Sequence, residues 1–216
     1  MILIRLSGFL FLFIIITNLA SERFGYKTFG DVDLEAQLQK INNNPIYFKI
    51  SIALILLEHL SIISLAITLF LAFGNYNIIL GIIWFVSRIG EGLIQIYDKK
   101  NYWRLFDIAD EYSNIRDAEK EELIKIGIGI LKTKSTRFAF AQILFSIGTL
   151  AYSILFATHE IIPMFIGWFG ILASIVYGVG NLIFQIMSKV KVLWKIGGLL
   201  ILFFEIILGG WLLFFI

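Results

Sequence analysis

An all-α polytopic membrane protein, built as a bundle of six transmembrane helices, is the fold this sequence predicts, and three observations predict it. Of its 216 residues, 59% are hydrophobic and only 16% are charged, against about 45–50% and about 25% in soluble domains. Apolar runs long enough to cross a bilayer core of roughly 30 Å recur six times along the chain. The polar residues caught inside those runs recur at helical spacing. Residues 1–216 are read as a single integral membrane domain.

The expected spans cover about 2–20, 46–73, 78–97, 137–157, 161–187 and 192–216. The first carries one charge, Arg5, before a long apolar run. Asn18-Leu19-Ala20 is a poor match to a signal-peptidase site, so a retained helix is expected. In the first loop, Leu34, Leu38 and Ile41 share a face of a short amphipathic helix starting near Asp31, expected to rest on the membrane surface, and Asn42-Asn43-Asn44-Pro45 stops it. About 28 residues from Ile46 to Phe73 exceed the bilayer core at 1.5 Å per residue, so tilt or a protruding end is expected. Gly74-Asn75-Tyr76-Asn77 turns the chain into the third span.

The polar segment 98–136 is expected to be helical. Trp103, Phe106, Ala109 and Tyr112 recur on one face, which suits an amphipathic helix lying in the interface between spans three and four. The mixed charges from Asp117 to Glu122 read as a solvated face, and Gly127 and Gly129 interrupt an apolar stretch too short to span. Thr158-His159-Glu160 joins spans four and five, with Pro163 in the first turn of the latter. Lys189, Lys191 and Lys195 lie at the last joint.

Lysine and arginine are distributed unevenly. Loop one has Arg23, Lys27, Lys40 and Lys49, nine more fall between Asp98 and Arg137, and loop five has three, whereas the opposite side has only Arg5. The positive-inside rule therefore puts loops one, three and five in the cytoplasm, in a cell membrane, with both termini outside.

Composition also excludes chemistry. The chain has no cysteine, which removes disulfides, thiolate metal sites and cysteine nucleophiles, and His59 and His159 are too few for a multi-histidine metal or haem centre. A net charge of +2 is small for nucleic-acid binding. No H-E-x-x-H, G-x-S-x-G, Walker A or dinucleotide fingerprint occurs. No cofactor, metal, catalytic set or nucleic-acid partner is therefore expected. The expected partner is the lipid bilayer, with a small-molecule or lipid ligand as the further candidate, while protein partners and oligomeric state stay open.

The informative residues are the polar ones inside the spans. Span three is apolar enough to enter a bilayer yet holds Trp84, Arg88, Glu91 and Gln95 on one face. A charge at mid-membrane costs roughly 2.5–3.5 kcal/mol on insertion scales, so a partner is required. Span four repeats the spacing with Gln142, Ser146, Thr149 and Ser153. Span five aligns Gly170, Ser174, Gly178, Asn181 and Gln185, a small-residue strip that admits a close neighbour. Span six aligns Gly198, Glu205 and Gly209; span two aligns Ser51, Glu58 and Ser61. Glu58, Arg88 and Glu205 fall near the middle of their spans, and the amides lie nearer loops one, three and five. The pattern predicts one polar centre made of Glu58, His59, Arg88, Glu91, Gln95, Gln142, Asn181, Gln185 and Glu205, opening toward that side. His59 points about 100° from Glu58 and is expected to face a different neighbour.

Three readings of that centre stay open. It binds or transports a small or lipophilic solute; it is a structural network in a subunit of a larger membrane complex; or it is an intramembrane enzyme using Glu58 or Glu205 as acid or base.

The layout also resembles a known family. Leu56-Leu57-Glu58-His59-Leu60, Ser87-Arg88-Ile89-Gly90-Glu91-Gly92 and Ala141-Gln142-Ile143 carry the likeness, with Ile162-Pro163, Trp168 and Gly170, and Phe204-Glu205 before Trp211-Leu212. By these residues the chain resembles the domain-of-unknown-function 4386 family of prokaryotic six-helix membrane proteins. The resemblance implies six spans and a polar centre at the positions above, and supplies no function. It also implies positive charge at the termini and in loops two and four, places that are nearly bare here.

Overall fold

The computed structural model describes residues 1–26, 33–115, 117–187 and 191–216, with the side chains of 117–119 outside the description. Lys27, Asp31, Arg116 and Lys189, which entered the charge count or the first-loop helix, lie outside the described residues. Among the described residues the chain is all-helical. It comprises α1 (Ile2–Arg23), α2 (Leu34–Asn43), α3 (Pro45–Phe73), a short 3-10 turn (Gly74–Tyr76), α4 (Ile78–Asn114), α5 (Asp117–Thr158), α6 (Met164–Ile186) and α7 (Val192–Phe214). Six of these, all but α2, are long and apolar enough to cross a membrane.

The ends follow local chemistry. Asn77 caps α4 by accepting from the Leu80 N–H at 3.2 Å, and Asp33 caps α2 by accepting from Ala36 at 3.2 Å. Pro45 begins α3, where its missing N–H costs nothing. Pro163 immediately precedes α6 rather than sitting inside its first turn.

The six long helices form a closed ring in chain order: α1 packs on α3, α3 on α4, α4 on α5, α5 on α6, α6 on α7, and α7 returns to α1. Every neighbour is antiparallel, as an up-and-down order with an even number of spans requires. Both termini meet at one end, where Arg5 Nε donates to the Ile216 carbonyl at 3.2 Å. The ring closes at two glycines. A Cβ on Gly8 would lie 2.5 Å from the Leu213 nitrogen, and one on Gly209 would lie 2.8 Å from the Phe11 Cβ. The expected small strip of span five does admit a neighbour: a Cβ on Gly178 would lie 3.1 Å from Ser146 Cβ of α5.

Two expectations are corrected. The segment 98–136 is helical, but it is not a separate interfacial helix. It is the outer ends of α4 and α5, which at 37 and 42 residues run to about 55 and about 63 Å and form one long hairpin. Ala109, expected on the membrane-facing stripe, is instead buried with Leu105, Ile108 and Leu123 between these ends. The apolar stripe of the loop-one helix faces protein, where a membrane surface was expected. α2 lies across α3, α4 and α5 with Leu34, Leu38 and Ile41 buried, because an apolar stripe finds a protein surface at the end of the ring. A Cβ on Gly127 would lie 2.6 Å from Leu34 Cδ2, so this glycine makes room for α2.

Candidate functional site

The ring surrounds a half-open cavity of about 490 Å³, and all six of its helices contribute to the wall. α4 supplies the charges. Its face of Trp84, Arg88, Glu91 and Gln95 is turned fully inward, each 5% exposed or less. Arg88 Nη1 pairs with Glu91 Oε2 at 2.8 Å, one turn along the same helix. The guanidinium also stacks 4.6 Å from the centre of the Phe145 ring on α5, a favourable contact for a desolvated cation. Small residues make this placement possible. A Cβ on Gly148 would lie 3.0 Å from Arg88 Cγ, and one on Gly92 would lie 2.7 Å from Ile63 Cγ1 of α3. Gly90-Glu91-Gly92 is thus a packing element around a buried acid, and Gly92 brings α3 and its carboxylate close.

On α3, Glu58 Oε2 accepts a 3.0 Å hydrogen bond from Asn18 Nδ2 of α1. His59 lines the same cavity rather than facing another neighbour, and among the described residues neither ring nitrogen has a hydrogen-bond partner. Adjacent residues both reach the interior because a cavity at the centre of a ring sees a wide arc of each helix. Glu205 of α7 faces the cavity at 8% exposure, and among the described residues it makes no ion pair or hydrogen bond. Gln142 of α5 accepts from the Tyr177 hydroxyl of α6 at 2.6 Å, which fixes the amide at the wall.

Of the nine residues picked from sequence, the structure therefore brings seven together: Glu58, His59, Arg88, Glu91, Gln95, Gln142 and Glu205 all line one cavity. The other two do not join them. Asn181 is buried but spends its amide on the Ala139 carbonyl of α5 at 3.0 Å, clamping α6 to α5. Gln185 lies beyond the cavity near the end of α6 and is exposed. Asn18 and Tyr177 were missed. Asn18 follows Thr17 near the end of span one, a polar pair closing an apolar run, and that is the signal that marks it.

A second polar cluster, also missed, closes the end of the cavity under α2. Asp98 lies 3.3 Å from Arg137 Nη1 and 3.6 Å from Lys99 Nζ. Lys99 and Lys134 are both buried, with their ammonium groups 5.0 and 4.4 Å from the centre of the Tyr26 ring. Burial, with Tyr102 and Asp98 adding to it, pushes the Tyr26 phenol well above the usual tyrosine range, so the ring presents a neutral face to both cations. Gln37 of α2 donates to the Tyr102 hydroxyl at 2.6 Å, tying the cap to this cluster. Tyr26 lines the cavity as well, so it joins the two polar groups.

Glu58, His59, Arg88, Glu91, Gly92, Gln142 and Glu205 fall in the motifs quoted for the family resemblance, whereas Asn18, Gln95, Gly148 and Tyr177 lie outside them. The model of the domain of unknown function DUF4386 matches residues 6–215. The chain belongs to this family. No curated protein and no solved structure matches it. A DUF4386 member is thus a six-span helical bundle in this chain, and its family name carries no activity.

Proposed function

We propose that this DUF4386 protein binds a small lipophilic solute inside the bilayer, in the ring cavity, and that Glu58, His59, Arg88, Glu91 and Glu205 orient it. The cavity itself carries the reading. Its volume of about 490 Å³ falls within the roughly 300–1,000 Å³ of ligand sites, which pair a mostly apolar wall with a few convergent polar groups. Here the wall is Ile14, Ile55, Ile62, Phe145 and Ile201, and the polar groups converge from α3, α4 and α7. A network serving only to fix helix register would be expected to satisfy its members internally. Among the described residues the His59 imidazole has no hydrogen-bond partner and the Glu205 carboxylate no ion pair, which favours a ligand instead.

The lining reaches Glu22, Tyr26 and Lys195, at the end of the ring that carries loops one, three and five. In this reading that end faces the cytoplasm by the charge rule, and a reporter fused after Ile216 checks the assignment.

Photolabelling tests the binding reading. The purified protein in nanodiscs is illuminated with a phospholipid bearing a diazirine in its acyl chain, and adducts are mapped by mass spectrometry. Adducts on Ile62, Phe145 and Ile201 are expected, and Gly198→Leu, which adds a side chain to the cavity wall where a Cβ meets only Tyr177 Cε2 at 3.7 Å, should remove most of them. Adducts confined to the outward-facing Leu60, Leu71 and Phe203, with no effect of Gly198→Leu, would contradict it.

A further inference from the structure

The facing stripes of α1 and α7 say how the cavity is entered and what head group it suits. On α1 the side turned to α7 runs through Gly8, Leu12, Ile15 and Leu19, by steps of three and four residues. On α7 the side turned to α1 runs through Gly209, Glu205, Leu202 and Gly198. At one end the stripes touch: a Cβ on Gly209 would lie 3.2 Å from the Gly8 carbonyl oxygen and 3.3 Å from Leu12 Cδ2. Further along, Ile15 and Leu19 of α1 and Leu202 and Gly198 of α7 line the cavity instead of one another. Leu19 is 60% exposed, and a Cβ on Gly198 would meet nothing nearer than Tyr177 Cε2 at 3.7 Å. The two helices therefore diverge from the Gly8–Gly209 contact toward the loop-one end, and the gap between them is apolar; with α1 and α7 as membrane spans it opens toward the acyl chains. Glu205 stands at the inner edge of this gap.

The charges around that point are unbalanced. Glu58, Glu91 and Glu205 line the enclosed part of the cavity with Arg88 as its cation; Lys195 and Glu22 are both exposed, at the mouth. Arg88 is engaged by Glu91, Asn18 donates to Glu58, and Glu205 has no hydrogen bond or ion pair among the described residues. Lys99 and Lys134, the buried ammonium groups nearest in the fold, do not line the cavity; they stand against Tyr26. Arg88 acts electrostatically on Glu205 as well as on Glu91, but among the described residues no cationic donor stands within hydrogen-bond distance of Glu205 at the inner edge of the gap.

We propose that the ligand is a single-chain amphiphile with an ammonium head, which enters from the bilayer between α1 and α7, sets its head against Glu205 and leaves its chain along Ile15, Leu19 and Leu202. This rests on the cavity being a binding site. It adds the head-group class and the route.

The test compares dodecylamine, dodecanol and dodecanoate on the purified full chain in phosphatidylcholine nanodiscs, reading saturable shifts of the unfolding temperature. Dodecylamine is expected to bind at least tenfold more tightly than dodecanoate, and Glu205→Gln to weaken dodecylamine at least tenfold while leaving dodecanol within threefold. The route is tested by Ile15→Cys with Leu202→Cys, the pair opposed across the gap by the Gly8–Gly209 register, in a chain that has no other cysteine. Oxidative closure of this pair should abolish dodecylamine binding, and reduction should restore it. Should Glu205→Gln fail to fold, the wild-type comparison of amine with carboxylate still decides the head group. Dodecanoate binding as tightly as the amine, with Gly198→Leu abolishing both, would overturn the head-group assignment while leaving the cavity a binding site. Binding unaffected by the oxidised pair would overturn the route. If Gly198→Leu leaves all three ligands unaffected, the cavity is not where they bind, and the binding reading fails with the proposal.

Discussion

Arg88→Met is expected to destabilise the protein by about 3–5 kcal/mol. Arg88 and Glu91 are each 3% exposed and 2.8 Å apart. Removing one leaves the other as an uncompensated buried charge, and the penalty is that of the stranded group rather than of the lost attraction. Losing the stack on Phe145 adds to it. The double variant Arg88→Met/Glu91→Leu should recover most of the loss, because a buried pair replaced by apolar residues of similar volume is often neutral or better. Equilibrium unfolding in mixed micelles reads both. A single variant within about 1 kcal/mol of the native protein would mean that Glu91 does not depend on Arg88. The double variant has a second use: if it folds but no longer binds solute, the pair belongs to the site as well as to the fold.

Gly8→Leu is expected to prevent the ring from closing. The Cβ alone would lie 2.5 Å from the Leu213 nitrogen, 2.7 Å from the Gly209 carbonyl oxygen and 2.9 Å from the Leu212 carbonyl carbon. All three are backbone atoms of α7, which cannot step aside as the tip of a flexible side chain can. Even Gly8→Ala should cost about 1–3 kcal/mol, the usual range for overpacking, and the larger side chain should separate α1 from α7. Gly210→Ala is the matched control, two turns or less from the same contact but with nothing within 4 Å of its Cβ. It should be neutral or stabilising by up to about 1 kcal/mol, the helix-propensity difference. Thermal unfolding and cross-linking between α1 and α7 read the pair. A Gly8→Leu protein as stable as Gly210→Ala would contradict the closure.

Six spans were legible because length and hydropathy decide bilayer crossing and little else competes with them. The inward face of α4 was legible too, since Trp84, Arg88, Glu91 and Gln95 repeat with the period of the helix and no lipid would accept them. What sequence does not carry is the choice between neighbours at the far ends of a stripe. Asn181 follows Ser174 by seven residues, yet it meets the Ala139 carbonyl across the α5–α6 contact, because a face this wide includes both an interior and an interface. Gln185 continues the same periodicity past the end of the cavity. Lys99 and Lys134 were passed over for a different reason. Among the nine lysines and arginines from Asp98 to Arg137 they entered only the charge count, and only Tyr26 lying against them shows that they are buried. Both arise from tertiary context, such as the placement of a tyrosine distant in sequence, which no local pattern encodes.

The central claim is that one cavity inside the ring gathers carboxylates from α3, α4 and α7 around a lipophilic ligand. An experimental density map of the protein in lipid nanodiscs, with no ligand added, tests this most directly. The account predicts six helices closed in chain order at Gly8 and Gly209, with elongated density inside the ring that ends at Glu205 and passes out between α1 and α7. A ring interior filled by side chains, with Glu58, Arg88 and Glu205 each facing a different helix pair, would contradict it.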